Sequence, residues 1–478
     1  MSADVIGFAL LLLGGVMLLA KIIRVKWRLA QKLFVPSSII GGGLALLCGP
    51  DVLGQLASAL GTDRFAEAGL FTPEILEVWS TLPGLLISVV FAGLFLGHRL
   101  PGLREAGRVA GPQIAFGMAL SSGQYVLGIL LALIVLGPVF GLPPFTGALI
   151  EIGFEGGHGT AAGLGDTFAE FGFPEGQDLA LGLATIGLLS GIIIGIGLIN
   201  WGVRTGRTVE LQQHASPSVS EQAGLVEKQR RRSAGTLTVQ PASIEPLTLH
   251  FGLLALSVIV GWLLLSLLQW IEAVFWAENV ELFAYVPLFP LAMIGGILVQ
   301  LAIQVFDRHD VVDRQLVERL QGFSLDMLII AALGTLSLQV IAENMGAFAL
   351  LAAVGLLWSV LAFVFLAPRM MPDYWFERGI ADMGQSLGVT ATGLILLRIA
   401  DPELRTPAYP AFGYKQLALE PFFGGGLITA AAIPLIVNFG TGWMLGGMLV
   451  LLIASLSVGL FHFGRQRRGP AGSHVPAG

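Results

Sequence analysis

Long apolar runs, separated by short charged or glycine-rich stretches, make up most of the chain. A helix needs about 20 apolar residues to cross roughly 30 Å of hydrocarbon. Runs near that length at 5–20, 34–50, 80–97, 111–137, 179–203, 248–270, 285–305, 324–341, 347–367, 417–438 and 441–463 predict transmembrane helices. The first is expected to stay in the protein: Asp4 precedes it and basic residues follow it, the reverse of a secretory signal. Two further stretches, about 145–165 and 375–400, are apolar but interrupted by glycine and by polar or charged residues.

Composition sharpens this. Of 478 residues, 55% are hydrophobic and 12% charged, where soluble domains carry about 25% charged. A water-soluble enzyme, a nucleic-acid binder and a disordered scaffold are excluded. The 64 glycines exceed the usual share, as in transmembrane helices. Cys48 is the single cysteine, so neither an internal disulfide nor a cysteine-rich metal site can form. The fold class expected is an all-α polytopic membrane protein.

The placement of charge selects a topology. With the N-terminus outside, and with both interrupted stretches entering and leaving on one face, 25 of the 26 Lys and Arg fall in the cytoplasm. They include Lys21 to Lys32, Arg99, Arg104 and Arg108, six in 204–232, Arg378, Arg398 and Lys415, and Arg465, Arg467 and Arg468; only Arg64 lies outside. The outer loops are then acidic, with Asp51, Asp63, Glu67, Asp166, Glu170, Glu278 and Glu281 among their residues. If each interrupted stretch crosses once instead, the basic residues split 14 to 12, with no bias. Two re-entrant hairpins are therefore expected, in a cell (inner) membrane.

The chain divides into 1–203, a polar cytoplasmic linker 204–247, a second membrane unit 248–440, an added helix 441–463 and a cytoplasmic tail 464–478. The units resemble each other. Leu179–Asn200 aligns without gaps to Leu417–Asn438, with Leu179, Ala180, Leu181, Gly187, Leu189 and Asn200 each meeting an identical residue. Pro36 is followed five residues later by Gly41-Gly42, and Pro290 by Gly295-Gly296. Since the first unit starts outside and the second inside, the repeat is expected to be inverted, an architecture of secondary transporters with a midplane site.

The interrupted stretches carry the candidate chemistry. The first holds Gly153-Phe154-Glu155-Gly156-Gly157-His158-Gly159-Thr160, the second Asp382-Met383-Gly384-Gln385-Ser386-Leu387-Gly388-Val389-Thr390-Ala391-Thr392. Non-helical backbone at membrane depth is tolerated only beside protein or a water-filled cavity. Half-helix starts there offer N–H groups to a carboxylate, and half-helix ends offer carbonyls to Na⁺. Backbone around Gly156, Gly157, His158, Gly159, Thr160, Gly384, Gln385, Ser386 and Gly388 is the expected solute cradle. Oxygens of Glu155, Thr160, Asp382, Ser386, Thr390 and Thr392 are the expected cation ligands. Small residues that merely let helices approach are the alternative for the glycines, and a hydrogen bond across the hairpin is the alternative for His158.

Two enzyme-like patterns are weighed as well. Glu155-x-x-His158 mimics a helical metal pair, but its two intervening glycines break the helix and no second pair exists. Gly384-Gln385-Ser386-Leu387-Gly388 matches a hydrolase nucleophile elbow, which needs a strand-turn-helix and a base. No catalytic residue, resident metal or cofactor is expected.

The string Gly156-Gly157-His158-Gly159-Thr160, the Pro36-to-Gly42 segment and the glycine- and threonine-rich Gly384–Thr392 resemble the bacterial sodium:glutamate symporter family. The resemblance runs from about residue 30 to 440. It implies two five-helix halves in inverted repeat, opposed re-entrant loops forming a sodium and solute site, and a homodimer with elevator-like movement. Serine usually precedes Gly-Gly-His in the family, where this chain has Glu155; the family's proline in the second hairpin is absent at Ala391. The function expected is Na⁺-coupled symport of a small anionic solute, glutamate or a related amino or carboxylic acid. A proton-coupled carrier, with Glu155 and Asp382 as proton sites, and a channel are the alternatives.

Overall fold

A computed structural model describes residues 2–32, 35–98, 103–209, 225–226, 231, 233–275, 283–401 and 405–466. Arg99, residues 210–224, 227–230 and 232 of the linker, Glu278, Glu281 and most of the tail 464–478, Arg467 and Arg468 included, lie outside the described residues, as do the side chains of Lys32, Asp63, Arg104 and Arg108. Among the described residues the fold is helical throughout, with no strand.

The helices that place the site are α1 (Ala3–Lys26), α2 (Ser37–Cys48), α3 (Pro73–Ala92), α4 (Leu103–Leu131), α5 (Leu149–Phe154), α6 (Gly157–Gly163) and α7 (Glu175–Arg204). There follow α8 (Pro246–Phe275), α9 (Leu288–Phe306), α10 (Arg314–Gly334), α11 (Met345–Leu361), α12 (Trp375–Ala400), α13 (Ala408–Leu419), α14 (Leu427–Phe439) and α15 (Thr441–Ser457). Their ends follow capping chemistry. Ser2, Thr72 and Asp313 accept from Val5, Ile75 and Leu316 backbone N–H groups at the starts of α1, α3 and α10.

Among the described residues, 10 helices are long and apolar enough to cross a membrane. Nine overlap expected spans, and the tenth is Trp375–Ala400. Burial sorts them. Within the most apolar window, 72% of Trp375–Ala400 and 61% of Glu175–Arg204 is buried, against 17% of Ala3–Lys26 and 22% each of Pro246–Phe275 and Thr441–Phe463. A buried centre and an exposed apolar rim are thereby distinguished.

Two expected spans need correction. The run 324–341 is the end of α10, which stops at Gly334; Ser337 then caps a separate short helix, Leu338–Glu343. The run 417–438 is no continuous helix. α13 stops at Leu419, and α14 begins at Leu427. Between them Pro421 supplies no N–H, and Gly424 (φ +66°) and Gly425 (φ +104°) adopt backbone that disfavours side-chain-bearing residues. The aligned partner 179–200 lies within unbroken α7, so the alignment pairs a continuous helix with a broken one.

Other repeated devices are visible. Both Gly-Gly pairs lie at helix crossings: Gly42 faces Leu333 of α10, and Gly296 faces the Ala92 carbonyl of α3. A five-residue π-helical segment ends each long helix before an interrupted stretch, Ala132–Leu136 and Ala362–Leu366, and each is followed by a proline at the second position, Pro138 or Pro368. Gly296→Val should therefore push α9 off α3 and cost about 1–3 kcal/mol, the usual range for overpacking. Gly43→Val, which faces open space, is the control, and thermal melting of detergent-purified protein is the measurement.

Candidate solute and cation site

α7 serves as a ruler for both interrupted stretches. Its 30 residues span about 45 Å at 1.5 Å per residue. The first stretch starts where the Phe145 ring meets Phe173, just ahead of α7, with centroids 5.9 Å apart. It reaches the middle of α7, where Phe154 packs on Gly187 and His158 Nε2 lies 2.9 Å from Thr185 Oγ1. It then returns, and Gln177 Nε2 donates to the Ala162 carbonyl at 3.2 Å.

The second stretch runs along α7 from the other end. Phe376 packs on Gly202, Gly388 lies on Leu188, and Leu396 packs on Gly195. α12 is thus two arms joined at Gly388 (φ −153°) and Val389 (φ +59°, ψ 175°). The arms lie side by side: a Cβ on Gly384 would stand 3.0 Å from Gly393 Cα. In one straight helix those residues would be about 13 Å apart.

The tips meet. Gly157, at φ +71°, turns its Cβ position onto the Val389 side chain. Gln385 Nε2 donates to Glu155 Oε1 at 3.1 Å. Ser121 of α4 donates to Glu155 Oε2 at 2.6 Å. Asp382 Oδ1 accepts from Gln113 Nε2 at 3.0 Å and lies 3.6 Å from Lys415 Nζ; both ion-pair side chains are closed to solvent. Lys415 donates also to Gln385 Oε1, and to Gln416 Oε1 at 2.9 Å.

A second carboxylate lies one turn before Glu155. Glu151 accepts from Tyr125 at 2.7 Å, from Gly424 N at 2.7 Å and from Thr429 at 2.8 Å. Three donors satisfy an ionised carboxylate without a basic partner. Gly424 also packs on Glu155. The loop that breaks the expected 417–438 span thus holds one acidic side chain and touches the next.

Of the expected site residues, Glu155 and Gln385 are brought together directly, with Gly157 against Val389. Asp382 joins them through Lys415. Thr160 is buried against Gly425, and its Oγ1 has no hydrogen-bond partner; Asp382 Oδ2 is equally buried and unpartnered. Thr392 packs on Gly388 and Gly191. Gly159 faces Ile87, and Gly384 faces the returning arm. Three residues are turned elsewhere. His158 bonds to Thr185 of α7, Ser386 Oγ donates to Met383 O within its own arm, and Thr390 donates to Glu420. Ser386 presents its carbonyl to Gln124 Nε2 at 2.6 Å. Glu155 and His158 point to different partners, so the metal-pair geometry is not formed.

One basic residue needs reassignment. Lys415, counted with the cytoplasmic charges, is buried in the site. Arg398 is exposed on the returning arm. Arg378 is buried but pairs with Asp373 at 3.3 Å. Gln113, Ser121, Gln124, Tyr125, Glu151, Lys415 and Thr429 escaped the sequence reading. Gln113, Gly117, Ser121 and Gln124 recur at helical spacing on one face of α4, a signal within reach of the sequence.

Ten apolar spans among the described residues, around a buried polar centre, mark an integral membrane protein. Residues 5–397 match the family described as sodium/glutamate symporter. The chain belongs to that family, which is one of transporters and not of enzymes. A comparison with curated proteins finds no match. The family match stops at residue 397, so α13, the Gly424–Gly425 turn and α14, which supply Lys415 and Thr429, lie beyond it.

Proposed function

We propose that this chain is a secondary active symporter that uses a Na⁺ gradient to import glutamate or a related small amino or carboxylic acid. One observation carries the reading: two chain reversals approach the middle of α7 from opposite ends and meet at Gly157 and Val389. In a bilayer these are two re-entrant hairpins, and residues 1–203 and 248–440 form an inverted repeat about their meeting point. The N-terminus is outside, the linker and tail are cytoplasmic, and the protein works as a homodimer with elevator-like movement.

Thr160 Oγ1 and Asp382 Oδ2 support the cation site, because buried oxygens without donors suit a hard monovalent ion. Glu155 adds charge beside them, while Thr390, Thr392 and Ser386 contribute oxygens as the hairpins part. The solute carboxylate takes N–H groups at Gly156–Thr160 and Gly384–Gly388 when the tips separate.

Purified protein in liposomes tests this. Inward Na⁺ should drive saturable uptake of radiolabelled glutamate or a related acid, and choline should abolish it. Full uptake in sodium-free buffer, driven by a proton gradient, would establish the proton-coupled alternative instead. Non-saturating flux would establish a channel.

A further inference from the structure

We propose that the Lys415 ammonium is a resident cation, filling from within the chain an oxygen-lined seat that an external Na⁺ occupies once this side chain is removed. The inference rests on the Na⁺-coupled reading above and concerns how many ions the site must take from solution.

An ammonium has three N–H donors and no acceptor. Lys415 Nζ has three oxygens around it: Asp382 Oδ1, Gln385 Oε1 and Gln416 Oε1. Two donors go to the amide oxygens and the Asp382 carboxylate faces the ammonium at an ion-pair distance of 3.6 Å, so a solute carboxylate would have to displace Asp382 to reach it. One carboxylate and two amide oxygens are instead the ligand chemistry of a hard cation. The space is reserved for the ammonium: a Cβ on Gly117 of α4 would come within 3.3 Å of Nζ.

The charge balance points the same way. Asp382, Glu155, Glu151 and Glu420 are carboxylates around the hairpin tips, and Lys415 is the basic side chain that forms an ion pair with one of them, Asp382. Because the lysine is covalently fixed, it offsets Asp382 without being carried across. The same cage without it has a vacancy for one more diffusible cation.

Full-length Lys415→Met, Lys415→Arg and the double variant Lys415→Met/Asp382→Asn test this, purified in Na⁺ and in choline at equal ionic strength. Relative to wild type, Lys415→Met should gain a further thermal shift of at least about 2 °C in Na⁺ over choline. Its uptake should require about one additional Na⁺, read as a steeper Na⁺ dependence. Lys415→Arg should keep the wild-type response, and the double variant should lose the gain because the carboxylate that lines the seat is gone.

Lys415→Met with the wild-type Na⁺ response overturns the proposal, as does recovery of folded Lys415→Met in neither buffer or a gain that survives in the double variant. The symport reading fails separately. Wild-type uptake indifferent to Na⁺ ends it, while the Na⁺-specific stabilisation of Lys415→Met would still establish the seat.

Discussion

Gly157→Ala is expected to reduce uptake by more than about a hundredfold, and Val389→Gly in the same chain to restore much of it. Gly157 sits at φ +71° with its Cβ position directed onto Val389. An alanine there meets left-handed backbone strain of about 1–2 kcal/mol and an overpacking cost of about 1–3 kcal/mol. Their sum, near 3 kcal/mol, exceeds a hundredfold in an equilibrium between met and parted tips.

Val389 stands at φ +59°, ψ 175°, a region populated almost entirely by glycine and costing a branched residue about 1–3 kcal/mol. Glycine at 389 removes that strain together with the methyl facing Gly157. The second substitution therefore repairs the first, which independent sites would not do. Transport by Gly157→Ala at the wild-type rate, or a double variant as inactive as the single, would show that the tips do not work as a contact. Thermal midpoints of both variants separate lost uptake from lost protein.

The sequence exposed the tips because their requirements are local. Gly156-Gly157 and Gly388 interrupt apolar runs, and Gly157 adopts a left-handed backbone that few other residue types tolerate. The polar partners were harder to read. Gln113, Ser121, Gln124 and Tyr125 lie in a run whose average hydropathy is simply that of a membrane helix, although they share a face with Gly117. Lys415 was assigned by segment, since counting charges per loop cannot distinguish a side chain at a helix end from one buried within a helix. The break at Glu420–Gly426 was hidden for the same reason: a hydropathy window averages over Pro421 and three glycines. Glu151 precedes the glycine string that drew attention to Glu155. Its role depends on Gly424 and Thr429, more than 270 positions away, and no local pattern encodes such a contact.

Glu155→Gln should leave the fold intact and still weaken cation binding. The hydrogen bonds around Glu155 have a direction: Lys415 donates to Gln385 Oε1, and Gln385 Nε2 donates to Glu155 Oε1. Gln385 cannot flip without turning its NH₂ onto the ammonium. A glutamine at 155 must then present its amide oxygen to Gln385 and its NH₂ to Ser121. Ser121 can accept, because its own proton can turn from residue 155 to Gly117 O, which lies 3.1 Å away. Every donor already present keeps a partner and only the second N–H of the new amide is left over, so the stability cost should stay within about 1–3 kcal/mol. What disappears is the charge. Replacing a charged ligand by a neutral one is worth about 1.5–3 kcal/mol, so the Na⁺ needed for half-maximal uptake should rise about ten- to a hundredfold. Glu155→Ala serves as the contrast: it strands Gln385 Nε2 and should lower the melting temperature as well. If Glu155→Gln instead titrates with Na⁺ as the wild type does, Glu155 is only a hydrogen-bond acceptor. The cation would then be held by Thr160 and Asp382, whose buried oxygens still lack a donor.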